Sequence, residues 1–159
     1  MMQQTRRKSY LTQILIAEAV GILSGILSKG GMEQFQLTAV QPDISPPSLV
    51  FPFVWTLLYA LMGISITRIL HSDPKDTGHS TINLYIIQLV VNFFWSLIFF
   101  NAQEYGGAFL WLLLLWILVF LMTVRMYRTD KLAGLLQLPY LIWLTFAAYL
   151  NYAVWQLNK

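Results

Sequence analysis

The chain has 159 residues, of which 57% are hydrophobic and only 11% are charged, and its mean hydropathy is +0.60. This balance excludes an ordinary soluble domain and predicts an integral, multi-pass membrane protein that forms a single domain over residues 1–159. The net charge of +3 does not indicate nucleic acid, because the basic residues lie at the ends of apolar runs. Without cysteine, disulfides, thiolate metal sites and Cys-based catalysis are excluded.

Five apolar stretches predict an all-α bundle of five transmembrane helices. The first is expected at about residues 10–28, because the pair Gly30-Gly31 that follows favours a helix end. The long connection from Gly30 to Ser45 carries Phe35 and is predicted to fold over the bundle as a lid. The other helices are expected at about residues 47–70, 81–101, 108–128 and 132–157.

The distribution of basic residues predicts the orientation of the bundle. Five spans place the two termini on opposite sides of the membrane. If the N-terminus is inside, eight of the ten basic residues lie on the inner side, and Lys29 and Lys159 remain outside. We therefore expect the N-terminus inside, and the first loop and the C-terminus outside.

Three predicted helices carry aromatic and polar side chains along one face, at the i, i+3, i+4 spacing of an α-helix. These residues are Phe51, Trp55 and Tyr59 on the second helix, Asn92, Trp95, Ser96 and Phe99 on the third, and Tyr140, Trp143, Ala147, Leu150 and Asn151 on the fifth. One interpretation is hydrogen bonding between helices that only holds the bundle together. The other is a pocket whose indole and phenol walls suit a planar, apolar ligand.

Other signals in the sequence are weaker. Glu18 lies near the middle of a span and needs a partner, in a functional or a purely structural role. The pattern from Gly21 to Gly25 indicates close helix packing, within the chain or in a dimer. His71 and His79 fall in a polar loop on the side opposite the predicted pocket, which argues against haem ligation there. No metal-binding, hydrolytic or nucleotide-binding motif is present, so no metal and no required cofactor are expected.

Several motifs in order along the chain resemble the translocator protein family, also called the tryptophan-rich sensory protein or peripheral benzodiazepine receptor family. They are Pro46-Pro47, Phe51-Pro52, Val54-Trp55, Leu58-Tyr59, Met62-Gly63, Asn92, Trp95, Phe99-Phe100, Pro139-Tyr140-Leu141, Trp143, Phe146-Ala147, Leu150-Asn151-Tyr152 and Val154-Trp155. The resemblance covers nearly the whole chain and is specific. The short tails favour a bacterial member, located in the cell membrane.

The resemblance implies a bundle, often a homodimer, that binds porphyrins such as protoporphyrin IX, as well as isoquinoline carboxamide and benzodiazepine-type ligands. Bacterial members are associated with light- and oxygen-dependent degradation of protoporphyrin IX, and the residues implied in that photochemistry are Trp55 and Trp143. The ligand-binding residues expected from the motifs and stripes are Phe35, Phe51, Trp55, Tyr59, Asn92, Trp95, Phe99, Trp143, Ala147 and Leu150. Cholesterol binding is not expected, because Gln156 replaces the arginine that ends the sterol pattern of animal members.

Two functional hypotheses follow. In the first, the protein binds tetrapyrroles and promotes the photo-oxidation of bound protoporphyrin. In the second, it transports or senses tetrapyrroles or other lipophilic molecules without transforming them.

Overall fold

The computed structural model describes the backbone of residues 2–72 and 77–159 and the side chains of residues 8–72 and 80–159. The described chain is helical, in agreement with the predicted all-α bundle. The helices are α1 (Met2–Thr38), α2 (Val50–Ser72), α3 (Thr77–Ser96) with a π-helical turn at Leu97–Asn101, α4 (Tyr105–Thr129), α5 (Lys131–Leu135) and α6 (Leu138–Leu157).

Five segments in this part of the chain are long and apolar enough to cross a membrane, as predicted. They are Lys8–Thr38, Val50–Ser72, Ser80–Asn101, Tyr105–Thr129 and Lys131–Leu157. The last combines α5 and α6, which are separated by a short turn at residues 136–137. Asp130 starts this segment by accepting a hydrogen bond from the Ala133 amide, which satisfies one of the free N–H groups of the first turn.

The predicted end of the first helix at Ser28 is wrong, because α1 continues through both glycines to Thr38. Gly31 does not end the helix but allows it to approach the π-helical turn. A Cβ atom at this position would lie 2.6 Å from the carbonyl carbon of Phe100. The Asn101 side chain also donates a hydrogen bond to the Leu27 carbonyl at 2.9 Å. These contacts hold α1 helical beyond the predicted stop.

This change also shortens the predicted lid. The connection between α1 and α2 covers residues 39–49, and Phe35 lies on the last turns of α1 instead of in a loop. The start of the connection is joined to the end of α6 by hydrogen bonds between Val40 and Asn158.

The core lies along α4, which packs between α3 and α6, while α1 packs mainly on α2. Leu115, Val119 and Met122 of α4 are fully buried, together with Met62 of α2 and Leu144 of α6. Because lipid surrounds the spans, the outer faces remain apolar, and Ile117 and Ile142 are among the large exposed hydrophobic residues.

Candidate functional site

Aromatic side chains connect α2 to α6. The rings of Phe51 and Trp143 meet edge to face with centroids 5.7 Å apart. The ring of Trp55 contacts Tyr140 in the same manner at 6.0 Å and lies 5.6 Å from Tyr59. We call these five residues the α2–α6 aromatic cluster. Such contacts are the favoured geometry of aromatic pairs, and here they join the two helices.

A chain of buried hydrogen bonds supports this cluster from α3. The Asn92 amide donates to the hydroxyl of Tyr140 at 3.0 Å and to that of Tyr59 at 3.3 Å. The Tyr140 hydroxyl in turn donates to Gln88 Oε1 at 2.9 Å. Since all four side chains are buried, each hydrogen bond spares a polar group from being unpaired inside the bundle. The network therefore fixes the phenol rings against which Trp55 packs.

A second aromatic group surrounds the end of α1. The ring of Phe35 lies 5.2 Å from Phe99, 5.5 Å from Phe100 and 6.1 Å from Tyr105. Trp95 stacks on Phe99 with centroids 5.4 Å apart. We call these five residues the Phe35 cluster. The π-helical turn contributes Phe99 and Phe100, and such turns are frequent at functional sites.

Trp95 is held in place by α6. Its indole N–H donates to Asn151 Oδ1 at 3.1 Å, and the Asn151 amide donates to the Tyr105 carbonyl at 2.7 Å. Trp95 also packs against both the main core and the smaller core group that contains Phe99. Trp95 is thus the member of the Phe35 cluster that also packs against the main core.

Seven of the ten predicted ligand-binding residues belong to the two aromatic clusters, and Asn92 hydrogen bonds to the first of them. Trp55, Trp95 and Trp143 are half-buried against the core and do not project fully into lipid. Ala147 and Leu150 are buried on α6. The buried indole nitrogen of Trp143 has no hydrogen-bond partner within the described part of the chain. Which of these residues bind a ligand stays a prediction.

Three residues of the site were missed from the sequence. Gln88 lies one turn before Asn92 on α3, so the helical spacing could have revealed it. Phe100 lies one turn after Ser96 and belongs to the Phe99-Phe100 motif, so it carried a similar signal, whereas Tyr105 gave none. Phe100 reaches the Phe35 cluster through the π-helical turn, and Tyr105 lies at the start of α4, so both depend on how the chain turns after α3.

A cavity of about 530 Å³ lies elsewhere in the bundle, between α1, α2 and α3. Ile16 and Val20 of α1, Ile66 of α2, and Ile86 and Val90 of α3 are among its lining residues. None of the ten predicted site residues lines it. In the α2–α6 aromatic cluster the rings contact one another, and Phe51, Trp55 and Trp143 stay partly exposed.

Of the two glycines in the pattern of α1, Gly21 packs against another helix of the same chain and Gly25 does not. A Cβ atom on Gly21 would overlap the Tyr59 ring, so this glycine lets α1 pack on the α2–α6 aromatic cluster. A Cβ atom on Gly25 would meet no described residue of another helix within 4 Å, so this side of α1 is open. Glu18 is partly buried one turn before Gly21, and its role stays a prediction.

Several polar side chains lie together at the C-terminal end of α2, the end away from Phe51. Arg68 forms an ion pair with Asp130 at 2.7 Å, and His71 Nδ1 lies 2.8 Å from the Thr67 carbonyl oxygen. Partial burial alone would raise the pKa of Asp130. The hydrogen bond from the Ala133 amide and the hydrogen bond and charge of Arg68 outweigh it and lower this pKa below its usual value.

This end of α2 is remote from the aromatic clusters, as expected for His71. The predicted polar loop runs to His79, whose side chain lies outside the described residues. Among the described residues, no group of three His, Cys, Asp or Glu side chains is placed to hold a metal ion.

The fold and these clusters define a class of protein: a five-helix membrane bundle with aromatic side chains gathered between α2, α3 and α6. The sequence profile of the TspO/MBR family matches residues 13–156, and the chain belongs to this family. It is 36% identical to the tryptophan-rich protein TspO of Chlorobaculum tepidum, over 88% of this chain and 89% of that protein.

Two further relatives have a similar sequence identity to this chain. The protein CrtK of Rhodobacter capsulatus is 38% identical over 74% of each chain. The human translocator protein is 37% identical over 74% of this chain and 71% of its own length. The family resemblance read from the motifs is thus confirmed.

Proposed function

We propose that the chain binds porphyrins such as protoporphyrin IX between α2 and α6, and promotes their light-dependent oxidative degradation. Planar isoquinoline- or benzodiazepine-type ligands would use the same site. The observation that carries the proposal is that Trp55 and Trp143 lie on different helices and that edge-to-face ring contacts join these two helices, Trp55 with Tyr140 and Phe51 with Trp143. A flat macrocycle that replaced some of these ring contacts would keep the same kind of packing.

Trp143 supports this assignment. Its buried indole N–H lacks an acceptor among the described residues, and a buried donor without a partner costs about 1–3 kcal/mol. A ligand with an acceptor atom at this position would remove that cost. The unpaired indole N–H of Trp143 therefore favours flat apolar ligands that carry a hydrogen-bond acceptor at one edge.

The photochemical step assigns the indoles an electron-transfer role. Light excites the bound porphyrin, the ring of Trp55 or Trp143 exchanges an electron with it, and molecular oxygen is the terminal oxidant. The protein contributes the contact between indole and macrocycle and restricts the access of water to the excited ligand. No acid–base group is needed for this role.

The test compares variants under illumination. Purified protein is mixed with protoporphyrin IX in air, and loss of the porphyrin and formation of product are followed by absorbance and mass spectrometry. Trp55→Phe and Trp143→Phe keep a flat ring but remove the indole, and we expect each to lower product yield several-fold. Trp116→Phe is the control, because Trp116 hydrogen bonds to Thr145 and stacks on Phe120, outside both aromatic clusters.

Unchanged product yield in both site variants would reject the indole role. Porphyrin binding, measured by quenching of intrinsic fluorescence, should survive in both variants because each keeps a flat ring, so a loss of product yield reports on the photochemistry. Samples kept in the dark separate binding from photochemistry.

A second candidate function is transport or sensing of tetrapyrroles or other lipophilic molecules without chemical change. It is favoured by the names of two relatives, the human translocator protein and the tryptophan-rich sensory protein of Cereibacter sphaeroides. Liposomes that contain the chain and are loaded with protoporphyrin IX distinguish the two. Transfer across the bilayer in the dark supports transport, whereas product formed only in light supports photochemistry.

A further inference from the structure

The cavity between α1, α2 and α3 lies in the part of the bundle where α1 and α3 are not held together. Ser24 of α1 donates a hydrogen bond to the Phe93 carbonyl of α3 at 3.1 Å, and Ser28 contacts Ser96 at 3.1 Å. On the N-terminal side of these contacts in α1, the space between the two helices forms the cavity, with Ile66 of α2 in its wall. We call it the α1–α3 groove.

The length and volume of the α1–α3 groove match a single hydrocarbon chain. Its lining on α3 extends from Ile82 to Phe94, which corresponds to roughly 18 Å along a helix that rises 1.5 Å per residue. A volume of about 530 Å³ spread over this length gives a mean cross-section of roughly 30 Å². A cross-section this narrow suits a hydrocarbon chain, whereas an α-helix about 10 Å across would lie over the open side of the groove.

The lining is mostly apolar and is open to the surrounding membrane. Four aliphatic or aromatic side chains of the lining are about half exposed, namely Ile16 (46%), Ile86 (52%), Val90 (49%) and Phe94 (45%). The groove lies within the segments long and apolar enough to span a bilayer, so the molecules next to it are lipid chains.

Gln13 and Tyr85 are the polar side chains of the lining, and both lie toward one end of the groove. Gln13 lines it five residues after Lys8, the start of the first span, which places its amide roughly 8 Å inside the span. At the other end, Phe93 and Phe94 are apolar. An ester-linked chain has the same asymmetry, because its carbonyl oxygen accepts hydrogen bonds near the headgroup and its methyl end does not.

We propose that the α1–α3 groove binds one acyl chain of a membrane phospholipid, whose ester carbonyl accepts a hydrogen bond from Gln13 and whose methyl end lies against Phe93 and Phe94. This lipid site is separate from the aromatic clusters, with which it shares no predicted residue. The bound chain fills the space between α1 and α3 and completes the packing of α1.

The test uses the full chain in vesicles of phosphatidylethanolamine and phosphatidylglycerol that contain a phospholipid with a photoactivatable diazirine on its acyl chain. After illumination, labelled residues are identified by mass spectrometry. We expect Ile16, Ile86 and Val90 to be labelled several-fold more than Ile117 and Leu121, which are similarly exposed on α4. Equal labelling of both groups would overturn the proposal, since it is the result expected for ordinary lipid contact.

Filling the groove provides a second measurement. Val90→Trp should reduce labelling of Ile16 and Ile86 at least threefold, whereas Ile117→Trp should leave it unchanged. If the groove residues are instead protected in the unaltered chain and cross-link to a second copy, the proposal is wrong and the face is a dimer interface. The labelling ratio in the unaltered chain decides the question even if Val90→Trp fails to fold.

The role of Gln13 is tested by replacing the ester. Gln13→Leu should weaken labelling of the groove by an ester-linked lipid, but not by an ether-linked lipid, which lacks the carbonyl acceptor. Equal effects on both lipids, or no effect on either, would overturn the proposed hydrogen bond.

Discussion

The side chain of Asn158 and the backbone of Val40 exchange two hydrogen bonds. The Val40 N–H donates to Asn158 Oδ1 at 2.8 Å, and Asn158 Nδ2 donates to the Val40 carbonyl at 2.9 Å. The pair joins the start of the 39–49 connection to the end of α6, next to the Phe35 cluster. Because much of this segment is exposed, the pair is well placed to control its opening.

Asn158→Ala removes both hydrogen bonds to Val40. We expect amide hydrogen exchange in residues 39–49 to rise about 5- to 10-fold, because two exposed hydrogen bonds together contribute about 1–1.4 kcal/mol. Lys159→Ala is the control, since it removes the contact of Lys159 over the Trp155 ring but keeps the amide of Asn158. Equal exchange in the two variants would show that Asn158 does not hold the connection.

Tyr140→Phe keeps the ring that contacts Trp55 but leaves Asn92 and Gln88 without their shared partner. The free energy of unfolding should fall by about 1–3 kcal/mol, the cost of buried polar groups left unpaired. Unfolding by sodium dodecyl sulfate titration in mixed micelles measures it. Tyr149→Phe, at a position 56% exposed on the same helix, should change it by less than about 0.5 kcal/mol. Equal losses of stability in the two variants would show that the hydrogen bonds of the Tyr140 hydroxyl do not stabilise the fold.

Gly63→Ala tests the approach of α2 to α1. A methyl group at this position would lie 2.6 Å from the backbone of Ile14, so one of the helices must shift, at a cost of about 1–3 kcal/mol. Gly25→Ala is the matched change in open space, and it should be neutral or stabilise α1 by up to about 1 kcal/mol. The same titration compares them. A neutral Gly63→Ala would show that α1 and α2 are packed less closely.

The ion pair between Arg68 and Asp130 makes stability depend on pH. Because the folded protein lowers the pKa of Asp130, the stabilisation is fully present above the ordinary aspartate pKa of about 3.9, and it is lost as pH falls through the lower folded value. We expect the thermal midpoint to fall more steeply with acidification below about pH 4 in the unaltered chain than in Asp130→Asn, whose amide can still cap α5. If the thermal midpoints of the two proteins fall with pH at the same rate, the ion pair does not contribute to the pH dependence of stability.

Much of the fold follows from the sequence alone, because lipid imposes strict demands on it. A span must be about 20 apolar residues long and must satisfy its own backbone hydrogen bonds, so the hydropathy predicts five helices directly. The aromatic residues at positions 51, 55 and 59 also fall on one face of α2 as their spacing requires. The predicted end of α1 was wrong, because the pair Gly30-Gly31 indicated a helix end and the helix continues to Thr38.

The aromatic site was only partly predictable. Helical spacing selected Trp55, Trp95 and Trp143, and all three pack against the core. It did not predict that the rings divide into the α2–α6 aromatic cluster and the Phe35 cluster. That division depends on the π-helical turn, which changes the direction of Phe99 and Phe100 by inserting an extra residue into the helix.

The sequence by itself determined the number of spans, the family and the aromatic faces, because these depend on local composition and on the fixed geometry of the helix. Only the tertiary structure decided that Gly31 is a point of contact and not a helix end, that Asn158 holds Val40, and that the cavity opens between α1 and α3. These features depend on the distance between helices, which many small packing contacts between residues far apart in the chain set together.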